Sequence, residues 1–146
     1  MSFALLLTIH GLAATVWTGG HLVLALGVLP GALRQGSAAA IRSFEERFEP
    51  LGLTALALQV ATGLALAWIY RPGLGAVLQL ADPLARLLAL KLGLLLATLV
   101  LALDARLRLI PRLDDHNLGG LAWHIAAITA LAVAFVAVGV AIRLGG

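Results

Sequence analysis

Four apolar runs, at roughly residues 3–29, 50–70, 84–110 and 118–142, limit what this chain can fold into more than any other feature. Each meets the ~20 residues that an α-helix needs to cross a bilayer core. Runs such as "ALKLGLLLATLVLAL" do not alternate between apolar and polar residues, which excludes a transmembrane barrel. The sequence therefore predicts an all-α integral membrane four-helix bundle. Residues 1–146 form one four-span domain, and no connector is long enough for a soluble unit. A chain with 62% hydrophobic and 12% charged residues suits lipid and not water. The start "MSFALLL" lacks the basic region of a secretory signal, and its apolar run continues past Trp17, so the first span is expected to be retained.

The connectors give boundaries and an orientation. Pro30 and Gly31 are expected to end the first span, and Pro50 to open the second as a first-turn proline. Between them, Ile41, Phe44 and Phe48 recur at helical spacing and predict a helix lying in the membrane interface. With four spans, Arg34, Arg42, Arg47, Arg106, Arg108 and Arg112 fall on one side, against Arg71, Arg86 and Arg143 on the other. Lys and Arg concentrate on the cytoplasmic side, so the expectation is a multi-pass protein of the inner (plasma) membrane with periplasmic termini. Basic residues at membrane ends account for the net charge of +3, and nucleic acid is not an expected partner.

The spans also contain ionisable residues, which are expensive in hydrocarbon and by default functional. At about 100° per residue, His10, Trp17 and His21 share one helix face, and Gly19 and Gly20 beside them allow a helix, a ring or a metal complex to come close. The two histidines stand about 16 Å apart along the axis, too far to ligate one ion together. Counting depth along an antiparallel path puts His10 at the level of Lys91, nearer the N-terminal side, and His21 at the level of His124, nearer the opposite side. Asp114, Asp115 and His116 lie at the mouth of that second level, as a route in for a ligand or simply as a solvated turn. Gln59 and Thr62 read as interhelical hydrogen-bonding residues, and Lys91 either supplies charge to a ligand or snorkels to the interface.

Imidazoles from facing helices can bind copper or serve as axial ligands of a b-type haem, and the residues leave both open. There is no cysteine, and Met1 is the only methionine, so the soft sulfur ligands of a Cu(I) path are missing from the spans. No serine triad, phosphate loop or paired-carboxylate site is visible, so no hydrolase is expected.

The stretch "RSFEERFEPLGLTALALQVATGLALAWIY", followed by "DPLARLLALKLGLLLATLVLALDARLRLIPRL", resembles the core of the copper resistance protein D (CopD) family. Arg47, Phe48, Pro50, Thr62, Gly63, Lys91 and the basic tail from Arg106 to Arg112 carry the likeness, with His10 and "VWTGG" ahead of them, over about residues 8–113. The resemblance implies copper handling in the inner membrane, with a periplasmic copper protein as partner. A fainter similarity, a first-span histidine followed by Trp-x-x-Gly and a third-span lysine, connects the chain to haem-containing protoporphyrinogen oxidases of the HemJ type. Copper is thus the expected ligand and haem b the alternative, held by His10, His21 and His124 with Trp17, Gly19, Gly20 and Lys91 in support. In the fourth span Ala122, Ala126, Ala130 and Ala134 form a small-residue stripe that predicts either a homodimer contact or packing inside the chain.

Overall fold

A computed structural model describes residues 2–145. Among them, four helical passages are long and apolar enough to cross a membrane. The first, Phe3–Gln35, joins α1 (Phe3–Leu22), a π-helical segment (Val23–Val28) and α2 (Leu29–Gln35). The second is α3 (Ala39–Tyr70), followed by a short α4 (Leu74–Leu78) in the connector. The third begins as α5 (Pro83–Asp104) and continues through a second π-helical segment (Ala105–Leu109) into a 3-10 turn (Ile110–Arg112). The fourth is α6 (Leu118–Arg143). The protein is an all-α multi-pass membrane bundle.

Prolines fail to set the boundaries expected of them. Pro30 does not end the first passage, because the π-helical segment before it relaxes the turn. Leu29 N–H bonds back to Leu24 C=O, five residues away, and the wider turn relieves the clash that a proline ring makes in a tight α-turn. Ile110 N–H does the same with Ala105 C=O just ahead of Pro111. The passage instead closes at Gly36, whose φ of 60° is left-handed, with Ser37 N–H on Ala32 C=O at 3.1 Å. Pro50 lies inside α3, which runs unbroken from the connector into the span. Both Pro50 and Glu46, whose carbonyl the proline leaves without its helical donor, are exposed.

Because α3 is continuous, Ile41, Phe44 and Phe48 pack into the bundle and do not form the apolar face of a separate helix. Ile41 is 0% exposed in a cluster with Leu24, Leu29, Leu113, Leu121 and Ile125, and Phe44 packs against that cluster. This core lies at the end of the bundle where the first and third connectors meet. Asp115 Oδ1 accepts from Ala38 N–H at 2.7 Å, and Arg42 Nη2 donates to Leu113 C=O at 2.5 Å. At the opposite end, Arg71 pairs with Asp82 at 2.7 Å and Asp82 also caps α5 through Ala85 N–H.

Three helix pairs close the bundle: α1 on α3, α1 on α6, and α5 on α6. The fourth side, between α3 and α5, has at most marginal helix contact. Ion pairs bridge it at its two ends, Glu49 with Arg106 at one and Arg71 with Asp82 at the other. Outward-facing leucines such as Leu12 and Leu96 are exposed, as the bilayer permits at no cost.

Candidate functional site

The face predicted for α1 is buried throughout, with His10, Trp17 and His21 all turned into the bundle. His21 Nδ1 lies 2.8 Å from the carbonyl oxygen of Trp17. A carbonyl only accepts, so Nδ1 carries the proton and Nε2 keeps its lone pair. The ring is held on both sides, by Trp17 at a centroid distance of 4.4 Å and edge-on by Phe48 at 5.9 Å. Gly20 makes this possible, since any Cβ there would collide with the Phe48 ring. The close approach expected at the glycine pair is thus by an aromatic side chain of α3, and at Gly20 alone: Gly19 has nothing near its Cβ position and borders open space.

The structure brings His124 of α6 within electrostatic reach of His21. The two helices lie close nearby, where Thr129 Oγ1, which donates to Ile125 C=O at 2.7 Å, comes within 3.3 Å of His21 C=O. His124 Nε2 is itself buried and has no hydrogen-bond partner among the described residues. A buried ring nitrogen without a partner costs about 1–3 kcal/mol unless something else satisfies it.

The other level is built differently. Thr62 donates its hydroxyl proton to Leu58 C=O at 2.5 Å, one turn back in α3, so its oxygen accepts from His10 Nδ1–H at 2.9 Å. His10 therefore has the same tautomer as His21, with Nε2 free. Gly63 gives the ring room, for a Cβ there would stand 3.1 Å from His10 Cε1. Lys91 lies within electrostatic reach of His10, its Nζ 5.8 Å from the Phe135 ring centroid and against Gly139, where a Cβ would meet it at 3.2 Å. A cavity of about 640 Å³ opens here between the four spans. His10, Trp17, Gly19 and Lys91 line it, whereas His21 and His124 do not.

Asp114, Asp115 and His116 do not converge on either level. Asp114 Oδ1 accepts from His116 N–H at 3.0 Å, Asp115 holds the start of α3, and His116 is exposed. Among the described residues no three His, Cys, Asp or Glu side chains are grouped as a metal site. The sequence alone does not mark Phe48, Gly63 and Gly139 as site residues. The first two belong to the stretches that carry the family likeness, but only contact between helices reveals what they do.

No curated protein matches the chain, and no solved structure does. A family model, copper resistance protein D, matches residues 42–142. The match leaves out His10, Trp17 and His21 and takes in Glu49, Thr62, Lys91, Arg106 and His124. Glu49 and Arg106, distant in sequence and both within the match, are the two ends of the ion pair that ties α3 to the third passage. Covering well over half of the chain, the match establishes that this protein belongs to the copper resistance protein D family.

Proposed function

We propose that the protein binds copper through His21 and His124 and passes it across or within the membrane as cargo. The observation that carries this reading is the unpartnered, buried Nε2 of His124, within electrostatic reach of a histidine whose own Nε2 is left free by the bond from Nδ1 to Trp17 C=O. Imidazole nitrogen is a good copper ligand, and an ion needs only a small gap between the two rings. Two protein ligands leave the ion open to exchange, as suits a carrier more than a structural site. His10 and Lys91 form a second polar level along the same bundle. The reading places the protein in the inner membrane with periplasmic termini, taking copper from or giving it to a periplasmic copper protein. Metal analysis of purified protein tests it: stoichiometric copper without a Soret band supports the reading, and copper at background level overturns it.

The cavity favours one rival, a b-type haem protein doing electron transfer or porphyrinogen oxidation. A macrocycle needs volume, and the volume is beside His10. Thr62 holds the His10 ring with Nε2 available as an axial ligand, and the haem would supply redox chemistry there. A Soret band lost in His10→Ala and kept in His124→Ala supports this rival. We also propose a homodimer through the fourth span, where Ala126 and Ala130 are exposed and Ala122 and Ala134 half-buried. Ala126→Leu should shift the protein toward monomer in detergent, and an unchanged mass distribution argues against the dimer.

A further inference from the structure

We infer that the cavity beside His10 is a binding site for an amphiphilic carboxylate, an apolar body carrying an anionic head, and that Lys91 is the counter-ion of that head. The inference goes beyond the copper reading and stands or falls separately from it. Its basis is a charge imbalance. The cavity is bordered by Lys91 at depth and by Arg143 at its outer end, and no aspartate or glutamate borders it. Among the described residues Lys91 makes no ion pair, and its ammonium rests over Phe135 in a place that Gly139 keeps open. An ammonium inside a span is tolerated when it is paired or faces a cavity, and this one faces a cavity that offers no protein carboxylate. A bound anion completes the pair.

The remaining walls define the rest of the ligand. Below Lys91 the lining is mainly apolar, with Leu22, Leu56, Leu92 and Leu95 and with Thr18, Gln59 and Thr98 as its polar members, and about 640 Å³ falls within the usual size of a small-molecule site. Tyr70 and Arg143, joined by a 3.4 Å contact, mark the polar end. A molecule seated here has its head toward the membrane surface and its body toward the bilayer centre, the same polarity as a lipid in the adjoining leaflet. The side between α3 and α5, which no helix pair closes, gives such a molecule a lateral way in. Long-chain fatty acids and tetrapyrroles with carboxylate side chains share this chemistry.

Trp17 lines the cavity and reports on it, whereas Trp68 and Trp123 face outward and can be replaced by Phe to leave one fluorophore. The test measures quenching of Trp17 in detergent by dibromostearate, by the uncharged dibromostearyl alcohol and by metal-free protoporphyrin. Saturable quenching by dibromostearate at least about tenfold tighter than by the alcohol, weakened about tenfold or more in Lys91→Gln and kept in Lys91→Arg, is the expected result for a lipid source. The same dependence on Lys91 for protoporphyrin, without binding of dibromostearate, supports a tetrapyrrole source. Leu95→Trp, made with Trp17 replaced by Phe and read by ligand retention on gel filtration, fills the apolar part and should abolish binding without touching the charge. It keeps the test decisive should Lys91→Gln fail to fold. Equal affinity for acid and alcohol, indifference to Lys91→Gln, or no saturable binding by either class overturns the inference.

Discussion

His21 and His10 sit on the same face of the same helix, in the same tautomer, and yet in opposite surroundings. Trp17 and Phe48 enclose the His21 ring, close to the packed core of Leu24, Ile41, Leu121 and Ile125, and what is left over there is the free Nε2 of His21 and the unpaired Nε2 of His124. The His10 ring packs against Thr62 and Gly63 of α3 on one side and borders a cavity on the other. A ring held in a packed setting can select a single ion by the position of its lone pair. A ring at the wall of an apolar chamber has room beside it for a ligand with a body. The difference teaches that the helix face decides which residues point inward, and the partner helix decides what they meet.

The sharpest way to break the comparison is to remove the rings one at a time. His21→Ala and His124→Ala should each take bound copper from stoichiometric to background, while His10→Ala leaves it in place, as read by elemental analysis. Equal loss in all three merges the two levels into one site. A smaller effect comes from the glycines: Gly20→Ala forces Phe48 away from His21 and should cost about 1–3 kcal/mol of stability. Gly19→Ala meets nothing and should gain up to about 1 kcal/mol through helix propensity. Thermal unfolding in detergent measures both, and effects of the same sign erase the contrast between a filled and an open neighbour. Smallest of all, Thr62→Val removes the acceptor that fixes His10 and should cost about 1 kcal/mol. Imidazole NMR should then show His10 exchanging between tautomers with His21 unmoved.

Much of this arrangement is legible in the amino-acid sequence. The apolar runs mark the four passages because bilayer thickness demands that length, and the 100° period puts His10, Trp17 and His21 on one face. Counting depth along antiparallel spans pairs His10 with Lys91 and His21 with His124, and the structure holds each pair within electrostatic reach. Pro30 and Pro50 mislead because the penalty assigned to them assumes an α-turn, whereas a π-helical segment precedes Pro30, and Pro50 sits where its freed carbonyl is exposed. Phe48 misleads because amphipathic spacing does not say whether the apolar side meets lipid or a neighbouring helix. The cavity is illegible for a deeper reason. It results from α3 and α5 failing to pack, a property of two segments that neither segment encodes alone.

The two π-helical segments have a bearing on how this chain can change over generations. Each is in effect a single surplus residue, lodged in a helix at the connector end of the bundle. Loss of one residue from Val23–Val28 returns that stretch to α-helix and turns α2, with Arg34, by roughly 100° relative to α1. His10, Trp17 and His21 all precede the segment and keep their places. The same holds for Lys91 and Thr98 ahead of the segment at Ala105–Leu109. A change of length there therefore spares the phase of the histidines and Lys91 but turns Leu29 and Ala32 out of the core they share with Ile41 and Ile125, so its effect falls on the arginine-bearing end alone.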